Sequence, residues 1–228
     1  MNGILLVDKP SGWTSHDVVA KLRHRLGIRK IGHAGTLDPM ATGLLILLIG
    51  NATKISQYVT NQDKTYAGAL RLGQETDSYD REGEVVATRE IRVSEQEIRR
   101  CAQQFLGDQW QLPPMFSAKK INGQPLYKWA RRGETIEREP RPVKIYEFFI
   151  QKVALPKVNF TVTCSKGTYV RTLVHDMGQK LACGAYLSDL RRTKTGHFPL
   201  ERAVPLDRLL AMECREIEHC LLPITDIL

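Results

Sequence analysis

An unbroken run of six aliphatic residues, Leu44 to Ile49, stands between Gly43 and Gly50 and constrains this chain more than any other feature. Without alternation and at that length it reads as a strand buried on both faces, far too short to cross a bilayer, which takes about 20 apolar residues. The fold must therefore contain a sheet that is well covered. Of 228 residues 42% are hydrophobic and 25% charged, a balance that supports a packed core and argues against disorder. Asp8, Lys9 and Pro10 interrupt the first apolar stretch, so no secretory signal is expected. Cys101, Cys164, Cys183, Cys214 and Cys220 form no Cys-x-x-Cys pair, and no histidine stands at metal-ligand spacing from them. They read as idle thiols in a reducing compartment, so a cytoplasmic location is expected.

Gly3–Val7 reads as a short buried strand followed by a turn at Lys9-Pro10-Ser11-Gly12. Ser15 is the expected N-cap of a helix whose Val18, Val19, Leu22 and Leu26 share a face, with Gly27 ending it. Lys64–Leu72 partly alternates, and the acidic stretch from Gln74 to Glu84 reads as a loop. Ser94 and Glu97 form a capping box opening a helix through Phe105. Asn122-Gly123 signals a hairpin turn, and a basic helix around Leu126–Arg132 ends at Gly133. Val143–Val153 and Val158–Cys164 read as antiparallel strands joined near Pro156. Tyr169–Leu181 reads as a helix whose first residues can be extended, and Tyr186–Lys194 as a strand. Strands and helices come in mixed order, which predicts an α+β fold and not a doubly wound one.

The net charge of +8 is segmental. Residues 16–33 carry five basic residues against one acidic, 117–150 eight against four, and 164–197 six against two. Such segments suit a phosphate backbone, although solvated helix faces account for charge alone equally well. Trp13, Tyr127, Trp129 and Tyr169 near them tilt the balance slightly towards nucleic acid with unstacked bases. Phosphate-loop, dinucleotide, zinc-hydrolase and nucleophile-elbow motifs are absent from the sequence. What remains is Asp38, on a glycine-bounded loop leading into the buried strand. Rigidly held loops carry reactive groups, but Asp-Pro is also a common turn starter.

Gly32-His33-Ala34-Gly35-Thr36-Leu37-Asp38-Pro39-Met40-Ala41-Thr42-Gly43 resembles the catalytic-aspartate motif of the TruB family of pseudouridine synthases. Val7 to Ser15, Lys64-Thr65-Tyr66 with Arg71-Leu72-Gly73 and Thr76-Asp77, Pro113 to Ala118, Gly123 to Gly133, Lys166 to Leu173 and Leu190 to Thr193 resemble its other motifs, in family order. Phe116 and Tyr186 depart from the usual pattern.

The resemblance implies the pseudouridine synthase fold, a mixed, mostly antiparallel central sheet flanked by helices and loops. It implies one catalytic domain over 1–228, with an RNA-clamping segment at about 117–141 and without the usual C-terminal PUA-like domain. It implies isomerisation of a T-loop uridine, position 55, in tRNA, with no cofactor and no metal. The partner is the T-arm and elbow of tRNA, met by a monomer, with no membrane. Asp38 is then the catalytic nucleophile or base, Arg171 its guanidinium partner, and Tyr66 the base-stacking residue that helps remove the C5 proton. His33 is placed against displaced RNA, Lys9 and Lys64 supply charge at the rim, and Tyr169 and Leu187 form pocket walls. In extended backbone Tyr169 and Arg171 share one face. A non-catalytic tRNA-folding chaperone is the rival reading, and a glycosylase that stops after bond cleavage is a third.

Overall fold

The computed structural model describes residues 1–117, 119–121 and 123–227. Ala118 and Asn122, from the expected motif and hairpin turn, lie outside the described residues. The chain forms two compact units, Met1–Ala67 with Leu190–Leu228, and Gly68–Asp189.

The first unit holds β1 (Gly3–Lys9), α1 (Ser15–Leu26), β2 (Ile31–His33), β3 (Thr42–Ile49), α2 (Ser56–Thr60) and the start of β4 (Lys64–Leu72). The second holds β5 (Gln74–Thr76), β6 (Val85–Thr88), α3 (Glu95–Gln103), β7 (Gly107–Gln111), β8 (Lys120–Ile121), β9 (Gln124–Pro125), α4 (Leu126–Ala130), β10 (Arg141–Ala154), β11 (Lys157–Cys164), α5 (Val170–Lys180) and the start of β12 (Ala185–Thr195). The chain then completes the first unit with β13 (Phe198–Pro199), β14 (Val204–Pro205), α6 (Leu206–Ala211) and α7 (Cys214–His219).

In the first unit the strand order is β14-β1-β3-β12, with β2 on β3 and β13 on β12; in the second β11, β10 and β7 lie side by side. Pairing is parallel at β1–β14 and β3–β12, and antiparallel at β1–β3, β2–β3, β12–β13, β10–β11 and β7–β10. The fold is α+β with a mostly antiparallel sheet. β3 is the strand that its composition demands: Leu44 to Ile49 are all fully buried, with Ile4, Leu6, Ala34 and Phe198 packed against one side. Each such aliphatic side chain contributes about 1.5–3 kcal/mol by leaving water. In the second unit Phe148 packs edge-on against Phe105 and Phe160, joining the turn that follows α3 to the sheet.

Two local expectations change. The N-cap of α1 is Thr14, whose hydroxyl accepts from the Asp17 amide while Asp17 accepts from the Thr14 amide. Ser15 is instead the buried first helical residue, turned towards Leu37. The stretch from Gln74 is not wholly loop: β5 pairs with β6 because Glu75 is buried and ion-paired with Arg89, which lets an acidic residue sit inside. No described helix is long and apolar enough to cross a membrane.

Candidate active site

Asp38 lies on the loop between β2 and β3, and nearly every peptide around it is gripped. The Ser15 hydroxyl accepts from the Leu37 amide at 2.8 Å and lies 3.2 Å from the Leu37 carbonyl. The Lys9 ammonium donates to the carbonyls of Pro39 at 3.2 Å, Pro10 at 2.9 Å and Trp13 at 2.6 Å. The Gly12 amide also donates to Pro39, and the Ser11 hydroxyl to Met40. Arg192, 1% exposed, donates to the carbonyls of Leu44 at 2.7 Å, Gly35 at 3.0 Å and Thr36 at 3.4 Å. Leu37 and Met40 are buried while Asp38 between them is half-buried, so a fixed backbone presents a residue that is only partly covered. Gly43 follows at φ +95, and a Cβ there would lie 2.4 Å from the Arg192 carbonyl, so only glycine permits this approach.

His33, at the end of β2, is half-buried, and burial followed by the nearby Arg192 charge holds its imidazole below the usual range. Lys9 and Lys64 are not rim charges. Both are buried, and Lys64 donates to the carbonyls of Thr60 and Gln62 with its stem beside Gly35. Their ammonium groups donate to backbone carbonyls in nearby turns and loops, a demand local charge patterns do not reveal. Tyr66, on β4, is buried.

In the second unit Arg171 occupies the first turn of α5 and faces Asp80 across 3.6 Å, with both side chains 5% exposed. Asp80 is held by the Ser78 hydroxyl at 2.7 Å and the Glu82 amide at 3.0 Å. One helical turn beyond Arg171, His175 stacks on Tyr79 at 3.9 Å, and Tyr79 sits at φ 66. Leu187 is buried and its backbone exchanges hydrogen bonds with Tyr79 and Arg81, fixing the Asp80 turn from below. Tyr169 caps α5 in extended conformation, and Gln111 bonds both its amide and its carbonyl. Arg171 is already helical, so the shared strand face expected for the two does not exist. The guanidinium nevertheless stands 5.9 Å from the centre of the Tyr169 ring.

Asp80, Ser15 and Arg192 are not among the site residues expected from sequence, although Ser15 and Arg192 lie within stretches that resemble the family motifs. Asp80 sits in an acidic stretch that resembles a solvated loop, and only its burial against Arg171 distinguishes it from Asp77. Among the described residues no group of three His, Cys, Asp or Glu side chains is placed to hold a metal.

Residues 23–170 match the family model described as TruB family pseudouridylate synthase (N terminal domain), and residues 171–228 that described as tRNA pseudouridylate synthase B C-terminal domain. The chain belongs to the TruB family. It is similar to the tRNA pseudouridine synthase B of Opitutus terrae, 55% identical over 225 residues covering 98% of this chain and 93% of that protein. It is also similar to that of Syntrophotalea carbinolica, 45% identical over 229 residues covering all of this chain and 75% of the other. Among solved structures, the crystal structure of a Cbf5-Nop10-Gar1 complex matches with a TM-score of 0.77 at 28% identity, over 99% of this chain and 61% of that one. The TruB motif around Asp38 is thus carried on a loop that side chains from β1, α1 and β12 hold in place.

Asp176 lies beside His175 on α5, and burial pushes its carboxyl up to about 6 against the lowering effect of Lys180. A folded-state value above the ordinary one means the penalty is absent below about pH 4 and complete above about pH 6. Asp176→Asn is expected to raise stability at pH 7.5 by roughly 1–2 kcal/mol, discounted for partial exposure, with no gain at pH 3.5. Urea unfolding at the two pH values measures it. His33 and His175 act with the opposite sign, because burial depresses both, and their neutral forms are lost at a cost as pH falls.

Proposed function

We propose that this chain converts a uridine of the tRNA T-loop, position 55, to pseudouridine, acting as a cytoplasmic monomer on the T-arm and elbow. Asp38 supplies the reacting carboxylate. The N1–C1′ bond of the uridine breaks with its electron pair left on N1, the base turns, C5 joins C1′, the C5 proton leaves to solvent and N1 takes up a proton, so the product is an isomer. Asp38 either attacks C1′ or takes the C2′ proton; both routes need one acid held still against an extruded nucleoside. The observation that carries this reading is the grip on the peptides flanking Asp38 combined with the half-buried position of that residue. The membership of the TruB family supports the substrate class.

Arg171 supports the chemistry through its fixed guanidinium, and Tyr66 stacks on the base and takes part in loss of the C5 proton. Tyr169 and Leu187 shape the pocket, His33 meets the displaced RNA, and the segment at 117–141 clamps the RNA. Lys9 and Lys64 contribute to RNA binding through the loops their ammonium groups hold.

Incubating an unmodified tRNA transcript with the purified chain and mapping pseudouridine by carbodiimide-dependent primer stops tests the function. A new carbodiimide-dependent stop one nucleotide 3′ of position 55 is expected. Release of free uracil, or no modified base, overturns the reading. Arg171→Lys is expected to lower the single-turnover rate about 10- to 100-fold with RNA affinity within a few-fold, because an ammonium cannot reproduce a fork. Unchanged single-turnover kinetics removes Arg171 from the chemistry.

A further inference from the structure

The stretch from Val18 to Leu37 contains no acidic residue over twenty positions, yet carries Lys21, Arg23, Arg25, Arg29 and Lys30. Some exposed cations elsewhere have a carboxylate beside them, as Arg92 has Glu90, Arg99 has Glu95, and Lys157 and Arg81 have Asp189. Among the described residues none of these five forms an ion pair. Arg23 and Arg25 do have work inside the fold: Arg23 donates to the Ile31 carbonyl, and Arg25 to those of Leu210 and Met212. Carbonyls satisfy their hydrogen bonds without cancelling their charge. Lys21, His24, Arg29 and Lys30 point to solvent.

Stabilisation of the α1 dipole accounts for basic residues in the last turn, which are Arg23, His24 and Arg25. It does not account for Lys21, which precedes that turn, nor for Arg29 and Lys30, which lie beyond the left-handed Gly27 cap. Arg23, His24, Gly27, Ile28 and Arg29 line an open hollow of about 410 Å³. From there the chain runs directly into β2, whose last residue is His33.

We propose that this hollow, with Arg29 and His24 in its wall and Lys21 and Lys30 beside them in the chain, is a phosphate-backbone site for the RNA substrate. The proposal rests on the tRNA reading above and deepens it. The chemistry suits a phosphodiester. The charge is spread over several flexible side chains, and the lining residues include no carboxylate to compete and no Phe, Tyr or Trp to read a base. Such a site adds affinity and register without sequence preference.

The test compares two triple variants of equal charge. Lys21→Gln/Arg29→Gln/Lys30→Gln removes the proposed site and spares Arg23 and Arg25. Arg92→Gln/Arg202→Gln/Arg215→Gln removes three exposed charges elsewhere. For the first, affinity for a tRNA transcript is expected to fall about 10- to 100-fold near 0.1 M salt. Its plot of log affinity against log salt is expected to be shallower by about two to three, with the loss appearing in KM. The charge-conserving Lys21→Arg/Arg29→Lys/Lys30→Arg restores the parental slope, and matching thermal unfolding shows that folding is intact. If the site triple binds like the control triple, or its loss appears in kcat alone, the site is refuted. The parent is measured in the same series. A parent that binds and modifies tRNA while the site triple equals the control leaves the tRNA reading standing without this site; a parent that does neither takes both down.

Discussion

Asp38→Asn is expected to abolish pseudouridine formation, lowering the rate about ten-thousand-fold or more, while tRNA affinity stays within a few-fold. The amide has almost the volume of the carboxylate, and the grip on the loop is made through neighbouring peptides, so the fold does not change. The Ala41 amide donates to the backbone carbonyl of residue 38, which the substitution keeps. What disappears is the carboxylate oxygen that the proposed reaction uses to bond C1′ or take the C2′ proton. Rapid-quench assays with the enzyme in excess, alongside filter binding, separate the two effects. A chaperone would keep its activity in this variant, and an enzyme using another acid would keep its rate; either result ends the assignment of Asp38.

Arg192→Met is expected to cost about 3–5 kcal/mol of stability and to lower kcat about 100-fold in the molecules that remain folded. The guanidinium reaches the carbonyls of Gly35, Thr36 and Leu44, on both sides of Asp38 in the chain. Methionine fills much of the space but leaves those acceptors without their donor, and an unmet buried polar group costs about 1–3 kcal/mol. A loop loosened by an ångström loses reactive geometry, which is worth about 100-fold. One further readout separates this from general loosening. Arg192 is the leading charge that holds the His33 imidazole down, so its removal lets His33 titrate nearer the ordinary value, visible by NMR. Urea unfolding gives the stability change, and parental stability together with a parental rate would refute the brace.

Much of the fold was legible because local rules act alone over short spans. The six residues from Leu44 admit one reading once both faces must be covered. The Ser94 capping box and the left-handed Gly27 cap appear where expected, since each is decided within four residues. The adjacent hydroxyls of Thr14 and Ser15 show where this stops. Either can cap α1, and the choice falls to Thr14 because Ser15 is drawn to Leu37, 22 residues away. Lys9 and Lys64 resembled ordinary solvated lysines because nothing nearby in sequence announces carbonyls in need of a donor.

The order of residues was enough to establish the α+β class, the covered β3 strand, the family motif and Asp38 as the candidate acid, since hydrophobic periodicity and a motif are local properties of the chain. The tertiary structure alone decided that Arg192 braces the Asp38 loop, that Lys9 is interior, and that Arg171 has Asp80 beside it. Those choices depend on which distant backbone groups are left without partners when the strands close. Burial makes each such omission costly, and the chain meets that cost with side chains that look unremarkable when read one after another.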